Sequence, residues 1–235
     1  MRYTSGKTFI GGGIAKAIFQ REKSGSLVSL FCGGLSVERA LSKYFDVIIC
    51  NDKQEYLIAL YQAVQSGWIP PEEITEEQYK YVRDHKDESK PLSGFVGFGC
   101  SFGAKWFAGY GRSDRGRFPC AESRRAVLRD INTLKDTLFT NLDYRDVTVP
   151  ERCIVYADPP YIGKTTGYGL KESFDTAAFW QWCRDVPHKV YVSELTAPND
   201  FVPVWEHETR RQMSEMIDKK KRTAVERLYI HERWA

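Results

Sequence analysis

Apolar residues fall along this chain in short runs and in helical stripes that alternate. Leu27-Val28-Ser29-Leu30-Phe31 is a run of strand length closed by Gly33-Gly34, and Ser36 then opens a stretch with Val37, Ala40 and Leu41 on one helical face. A second run, Val47 to Cys50, ends at Asn51-Asp52, and Leu57, Ile58, Leu60, Tyr61 and Val64 mark the next helix. Further strands are predicted at Ile154 to Ala157 and Val190 to Ser193, with a helix over Thr176 to Arg184 between them, and a last strand over Leu228 to His231. This alternation predicts an α/β fold, a doubly wound and mostly parallel sheet covered by helices. From about Trp68 to Thr140 it breaks into an acidic helical piece, a Gly/Phe-rich piece and an arginine-rich helical piece. The stretch 68–140 reads as a lobe inserted into a single domain spanning 1–235.

Composition narrows the class. At 235 residues and 42% hydrophobic content the chain can bury one substantial core. Met1-Arg2-Tyr3-Thr4-Ser5-Gly6-Lys7 carries no apolar signal region, and no later stretch approaches the roughly 20 apolar residues that cross a bilayer. The expectation is a cytoplasmic protein with no membrane partner. Six cysteines (32, 50, 100, 120, 153 and 183) form no CxxC pair, and with the four histidines they show no zinc-ligand spacing, so reduced thiols and no metal are expected. The net charge of +3 is small but uneven: 72–90 is acidic, whereas Arg112, Arg115, Arg117, Arg124, Arg125 and Arg129 crowd one stretch and Arg210, Arg211, Lys219, Lys220, Lys221 and Arg222 another. Such runs are either solvated surface or phosphate contacts.

Asp158-Pro159-Pro160-Tyr161 carries the most chemistry, because it closes the strand-like run Cys153 to Ala157 and opens a loop rich in glycine and tyrosine. Two prolines fix φ, lack backbone donors and hold the corner stiff. An aromatic amino group is a poor nucleophile because its lone pair is delocalised into the ring. If the Asp158 carboxylate and the Pro159 carbonyl each accept one amino hydrogen, the nitrogen is drawn toward tetrahedral geometry and can attack a sulfonium methyl group, while Tyr161 stacks on the base. No general base is needed to start, and Asp158 lies where it can relay the proton afterwards. The plain alternative is a proline-rich surface turn. In a doubly wound sheet, ligands sit at the carboxyl ends of the strands, so Gly33-Gly34, Asp52 and Asp158 should converge. The glycines allow close backbone approach, and an acid about 20 residues on suits ribose hydroxyls. A glycine pair alone would read as an ordinary strand-to-helix turn.

Together these motifs resemble the adenine-specific DNA methyltransferases that place the cofactor motif before the catalytic one, especially the compact bacteriophage-type branch. The resemblance covers nearly the whole chain: Tyr3-Thr4-Ser5-Gly6-Lys7 is similar to the N-terminal signature with Ser5 replacing a glycine, Phe31-Cys32-Gly33-Gly34 to the Phe-x-Gly-Gly segment, Asn51-Asp52 to the strand-end acid, and Asp143-Tyr144 to the acid-aromatic pair ahead of the catalytic strand. Trp68 to Glu73 and Gly97 to Trp106 are the most branch-specific blocks. The resemblance implies a class I, Rossmann-like fold with S-adenosylmethionine as cofactor, held by Tyr3, Lys7, Phe31, Gly33, Gly34, Asp52, Asp143, Tyr144 and Asp158. Lys7 would pair with the methionine carboxylate and Asp143 would lie near the cofactor adenine. It implies catalytic Asp158, Pro159, Pro160 and Tyr161, and a bacterial or phage-infected host cell. One departure is Ser29-Leu30, where many relatives carry an acid and a proline.

The partner implied is double-stranded DNA, bound by a monomer or weak dimer. Reaching an adenine amino group in a duplex requires flipping the nucleotide out, at a cost of roughly a few kcal/mol. Lys105, Arg112, Arg115, Arg117, Arg124, Arg125 and Lys220 are the candidate DNA contacts, the arginines for phosphates or guanine edges and Lys220 for phosphate grip. Phe98, Phe102, Trp106 and Phe107 could line a base pocket, wedge into the helix, or form a small core for the inserted lobe. Lys164 and Tyr168 could close over a flipped base, and Ser193-Glu194 could border the pocket. Two alternatives stay open: transfer to another amino group (RNA guanine, cytosine or protein glutamine), and a non-catalytic DNA-binding decoy.

Overall fold

The computed structural model describes residues 1, 3, 6–23, 25–112, 118–160, 169, 173–210 and 223–235. Among them, strands β1 (Ser26–Ser29), β2 (Val47–Asn51), β3 (Leu138–Thr140), β4 (Cys153–Ala157), β5 (Val190–Glu194), β6 (Phe201–Arg210) and β7 (Thr223–His231) form one seven-stranded sheet in the order β3-β2-β1-β4-β5-β7-β6. The first five run parallel, and β7 lies antiparallel between β5 and β6. This is the doubly wound, mostly parallel sheet that the alternation predicts. β4 and β5 are buried along their whole length, as interior parallel strands with both faces covered must be.

Helices α1 (Gly11–Glu22), α2 (Glu38–Leu41), α3 (Glu55–Gln65), α4 (Glu76–Asp84), α5 (Lys90–Gly94), α6 (Pro119–Thr133) and α7 (Thr176–Asp185) cover the sheet. Two buried clusters flank it. One joins Ile14 and Ile18 of α1 to Leu57 and Tyr61 of α3 and to Tyr79, Phe95, Phe98 and Val127 of the 68–140 stretch. The other gathers Tyr144, Phe179, Trp180 and Val192 on the opposite face. Of the stretch 68–140, Leu138–Thr140 pairs with β2 as a sheet strand, and the helices before it share the first cluster.

The Gly/Phe-rich piece owes its composition to close packing. α5 continues into a π-helical turn over Phe95–Gly99, and a methyl on Gly94 would lie 2.0 Å from the Tyr56 carbonyl oxygen, one on Gly97 2.3 Å from the Trp106 ring. Phe98 is core, Phe107 packs on Tyr79, and Phe102 is exposed at the tip of a short loop closed by the Ser101–Tyr110 bridge. Gly94→Ala must therefore push α5 off α3, and urea unfolding should show a loss of about 1–3 kcal/mol. Gly12→Ala, with open space around the new methyl, should be neutral or slightly stabilising. Equal effects at the two positions would refute the packing account.

Candidate active site

The carboxyl ends of β1, β2 and β4 meet at the point where the strand order reverses, and a cavity of about 990 Å³ opens there. It is lined by Tyr3, Phe31, Gly33, Gly34, Asp52, Asp143 and Tyr144, and by Lys7, Asp158, Pro159 and Pro160. These residues, distant in sequence, are thus brought together. Tyr161 lies outside the described residues, as do Lys164 and Tyr168.

The glycine loop is fixed from several directions. Gly33 takes a left-handed φ of 43°, its N–H donates to Asp52 Oδ2 at 2.9 Å, and the Tyr61 hydroxyl donates to its carbonyl at 2.5 Å. A methyl on Gly34 would lie 2.7 Å from Tyr3 Cβ, so the glycine pair seats the N-terminal segment as well as admitting a ligand. Leu35, buried and non-glycine, also has a positive φ, of 61°, a conformation that costs an L-residue about 1 kcal/mol. Asp52 accepts a second bond from Gln54 N–H at 2.9 Å, and burial raises its carboxyl to about 6 despite both bonds. A carboxylate offers about four lone-pair sites, so Asp52 retains capacity for ribose hydroxyls. Asp143 caps the turn Tyr144–Asp146, and hydrogen bonds from Arg145 and Lys53 hold its carboxyl well below the usual range. Phe31 packs on Tyr144, Phe174 and Phe179, which gives the cavity an aromatic wall beside Asp143. A cradle of glycine backbone, an acid at the end of β2 and an apolar wall with an acid at its rim suit an adenosine moiety.

The cavity around the end of β4 is densely charged. Asp158 projects from the end of β4 with about a fifth of its side chain exposed, and Lys7 Nζ donates to its Oδ1 at 2.7 Å. The Lys7 carbonyl accepts from Ile10 and Gly11 N–H, so the first turn of α1 holds this lysine in place. Three further buried acids surround the pair: Glu226 of β7, with Oε2 3.9 Å from Lys7 Nζ, Glu194 at the end of β5, and Glu38 of α2. Burial pushes Glu38 up to about 8 and Glu194 to about 7, and it also raises Asp158, an effect that Lys7 opposes. The Ser29 hydroxyl donates to Glu38 Oε1 at 2.6 Å. Tyr156, two residues before Asp158, lines the same cavity with its hydroxyl buried.

A wall from the 68–140 stretch completes the cavity. Trp106 packs on Tyr56 at 5.0 Å between ring centres, and Tyr56 donates to Asp87 Oδ1 at 2.9 Å. Gly169, after the catalytic corner, lies so close that a methyl on it would sit 2.4 Å from Trp106. Glu38, Glu226, Tyr56 and Gln54 were not picked out by sequence pattern. Of these Glu226 carries a signal, an acid on the otherwise apolar face of β7 that holds Ala224, Leu228 and Ile230, and it is hidden because the strand reads clearly only from Leu228.

The candidate DNA contacts are more scattered. Arg112 pairs with Glu76 at 2.9 Å, Arg124 donates to the Pro70 carbonyl at 2.9 Å, and Lys105 and Arg125 are exposed. The basic stretch is thus partly matched by the acidic one. Arg115, Arg117 and Lys220 lie outside the described residues. Among the described residues no helix is long and apolar enough to cross a membrane, and no group of three or more His, Cys, Asp or Glu could hold a metal ion.

Among solved structures the chain is similar to the tRNA (m1A58) methyltransferase TrmI from Aquifex aeolicus, at 10% identity over 97% of this chain and 71% of that one, with a TM-score of 0.39. It is also similar to the 23S rRNA methyltransferase ErmE, at 11% identity over 93% and 67%, with a TM-score of 0.35. Residues 3–96, the segment that carries Tyr3, Lys7, the Phe31 to Gly34 loop and Asp52, match the D12 class N6 adenine-specific DNA methyltransferases, the family that the motifs resemble.

Proposed function

We propose that this protein transfers a methyl group from S-adenosylmethionine to the exocyclic 6-amino group of adenine in DNA, with the target nucleotide flipped out of the duplex. The observation that carries the reading is the placement of Asp158-Pro159-Pro160 at the end of β4, across one cavity from Gly33, Asp52 and Asp143. The cofactor, when bound, supplies an electrophilic methyl group on sulfur. Gly33 and Gly34 would admit it, Asp52 would accept from its ribose, and Asp143 and Phe31 would border its adenine. Asp158 and the Pro159 carbonyl would orient the acceptor amino group by accepting its hydrogens, and Asp158 would receive the proton it sheds. Trp106 and Tyr56 give the cavity an aromatic wall suited to an unstacked base, which nucleobase enzymes grip between aromatic faces. Lys105, Arg112, Arg124 and Arg125 would contact the DNA backbone, and 68–140 would act as the target-recognition lobe of a single domain.

Purified protein should be incubated with S-adenosylmethionine and unmethylated duplex DNA, and the DNA digested to nucleosides for mass spectrometry. 6-Methyladenine is the expected product. Another methylated base would overturn the acceptor assignment, and cofactor binding without methylation of any nucleic acid would overturn the activity.

A further inference from the structure

We propose that Glu226 of β7 is a positioning residue for methyl transfer, acting through Lys7 on the orientation and charge of Asp158; the proposal rests on the reading of Asp158 given above. Lys7 Nζ stands between the two acids, 2.7 Å from Asp158 Oδ1 and 3.9 Å from Glu226 Oε2. The lysine is 5% exposed and Glu226 is also 5% exposed, so neither charge is much screened by water. Lys7 is the cation that opposes the rise burial imposes on the Asp158 carboxyl, and it is the ionised carboxylate that accepts an amino hydrogen and then takes a proton. It also grips Oδ1, which assigns the acceptor amino group to Oδ2.

Glu226 acts on this pair in two ways. Its carboxylate draws the ammonium toward β7, which fixes where Asp158 is gripped, and its negative charge works against ionisation of Asp158. The other charged or titratable groups facing Asp158 are Glu194 from β5, Glu38 from α2 and Tyr156 from its own strand. They share Glu226's sign or are neutral, so among the described residues facing Asp158 it is Lys7 that opposes them. Glu226 and Lys7 should therefore move the charge state of Asp158 in opposite directions. A purely structural role for Glu226 predicts no such antisymmetry.

The test is a pair of isosteric or near-isosteric variants, Glu226→Gln and Lys7→Gln, read by single-turnover methylation rate against pH and by 13C NMR titration of Asp-labelled protein. The Asp158 resonance is assigned by its loss in Asp158→Asn. In Glu226→Gln the acidic limb of the rate profile and the Asp158 titration should both move to lower pH, by about one unit. The plateau rate should fall several-fold, because Lys7 is less firmly placed. In Lys7→Gln both should move to higher pH, with most activity lost at neutral pH. If the wild type methylates adenine but Glu226→Gln leaves both curves in place or moves them upward, the proposal is overturned while the activity stands. If the wild type methylates nothing, the activity reading fails. The NMR titration still decides the electrostatic linkage in that case, because it needs no turnover.

Discussion

Replacing Asp158 with asparagine should leave cofactor binding intact and reduce methyl transfer by at least about 10²–10⁴-fold, the range contributed by a positioned proton-accepting group. The cause is donor and acceptor matching. Lys7 Nζ can only donate, and it lies 2.7 Å from Oδ1, so an asparagine at 158 would turn its amide oxygen to the lysine. Its NH2 would then face the acceptor amino group, two donors where one must accept. The amide also cannot take the proton that the product sheds. The cofactor contacts proposed at Gly33, Asp52 and Asp143 involve other residues of the cavity lining and should be unchanged. Isothermal titration with S-adenosylmethionine, beside a single-turnover rate with DNA, separates the two effects. Activity within tenfold of wild type would remove Asp158 from its role.

Glu38→Gln should stabilise the protein, and by an amount that grows with pH. Burial raises this carboxyl from 4.5 to about 8 in the folded state. Between those values the folded protein retains a proton that the unfolded chain has released, so stability falls as pH rises through the window. Below it, both states are protonated and the group contributes nothing to the pH dependence. Glutamine imitates the protonated acid, can accept the Ser29 hydrogen bond, and does not titrate. Wild type and variant should therefore differ least near pH 5, by about 1 kcal/mol or less, with the variant ahead by up to a few kcal/mol near pH 8. Glu194 and Asp52, raised to about 7 and about 6 by burial, remain in the variant and act in the same direction, so some loss of stability with rising pH persists. Urea titrations at pH 5, 6.5 and 8 check this, and a difference independent of pH would show that Glu38 is ionised in the fold. A gain at a residue lining the cavity would mark a side chain retained for the site at the expense of stability.

The parallel core was legible because interior strands are continuous apolar runs; β1, β2, β4 and β5 lie where Leu27, Val47, Ile154 and Val190 begin such runs, within a residue or two. The elements missed obscure their own pattern. α1 opens with Gly11-Gly12-Gly13, poor helix formers, yet Gly11 packs against Ser36 and Gly13 against the Trp205 ring, contacts that a side chain would block. β6 contains Pro203, which normally argues against a strand, and it is tolerated at an edge where the register shifts between Pro203 and Trp205. β3 has only three residues and an exposed Leu138. In the site, the convergence of Gly33, Asp52 and Asp158 followed from their being strand ends. The grouping of Lys7 with Asp158 and Glu226 did not, because it depends on a segment crossing over the glycine loop and on a strand inserted out of order. The aromatic block divides by packing: Phe98 is core, Trp106 faces the cavity and Phe102 faces outward. Composition alone could not separate these.

The place of β7 in the sheet bears on how the protein is made. Synthesis delivers β1 to β5 first, and β6 pairs with β7 rather than with β5, so the growing chain carries an open β5 edge until residue 231 has left the ribosome. That edge, Val190–Glu194, is fully buried in the finished protein, and an unpaired buried-type strand invites pairing with other chains. Docking of the paired β6 and β7 closes the edge and brings Glu226 to Lys7 in the same event. Chains that stop short of β7 would be prone to aggregate and would lack the Glu226 carboxylate beside Lys7 and Asp158.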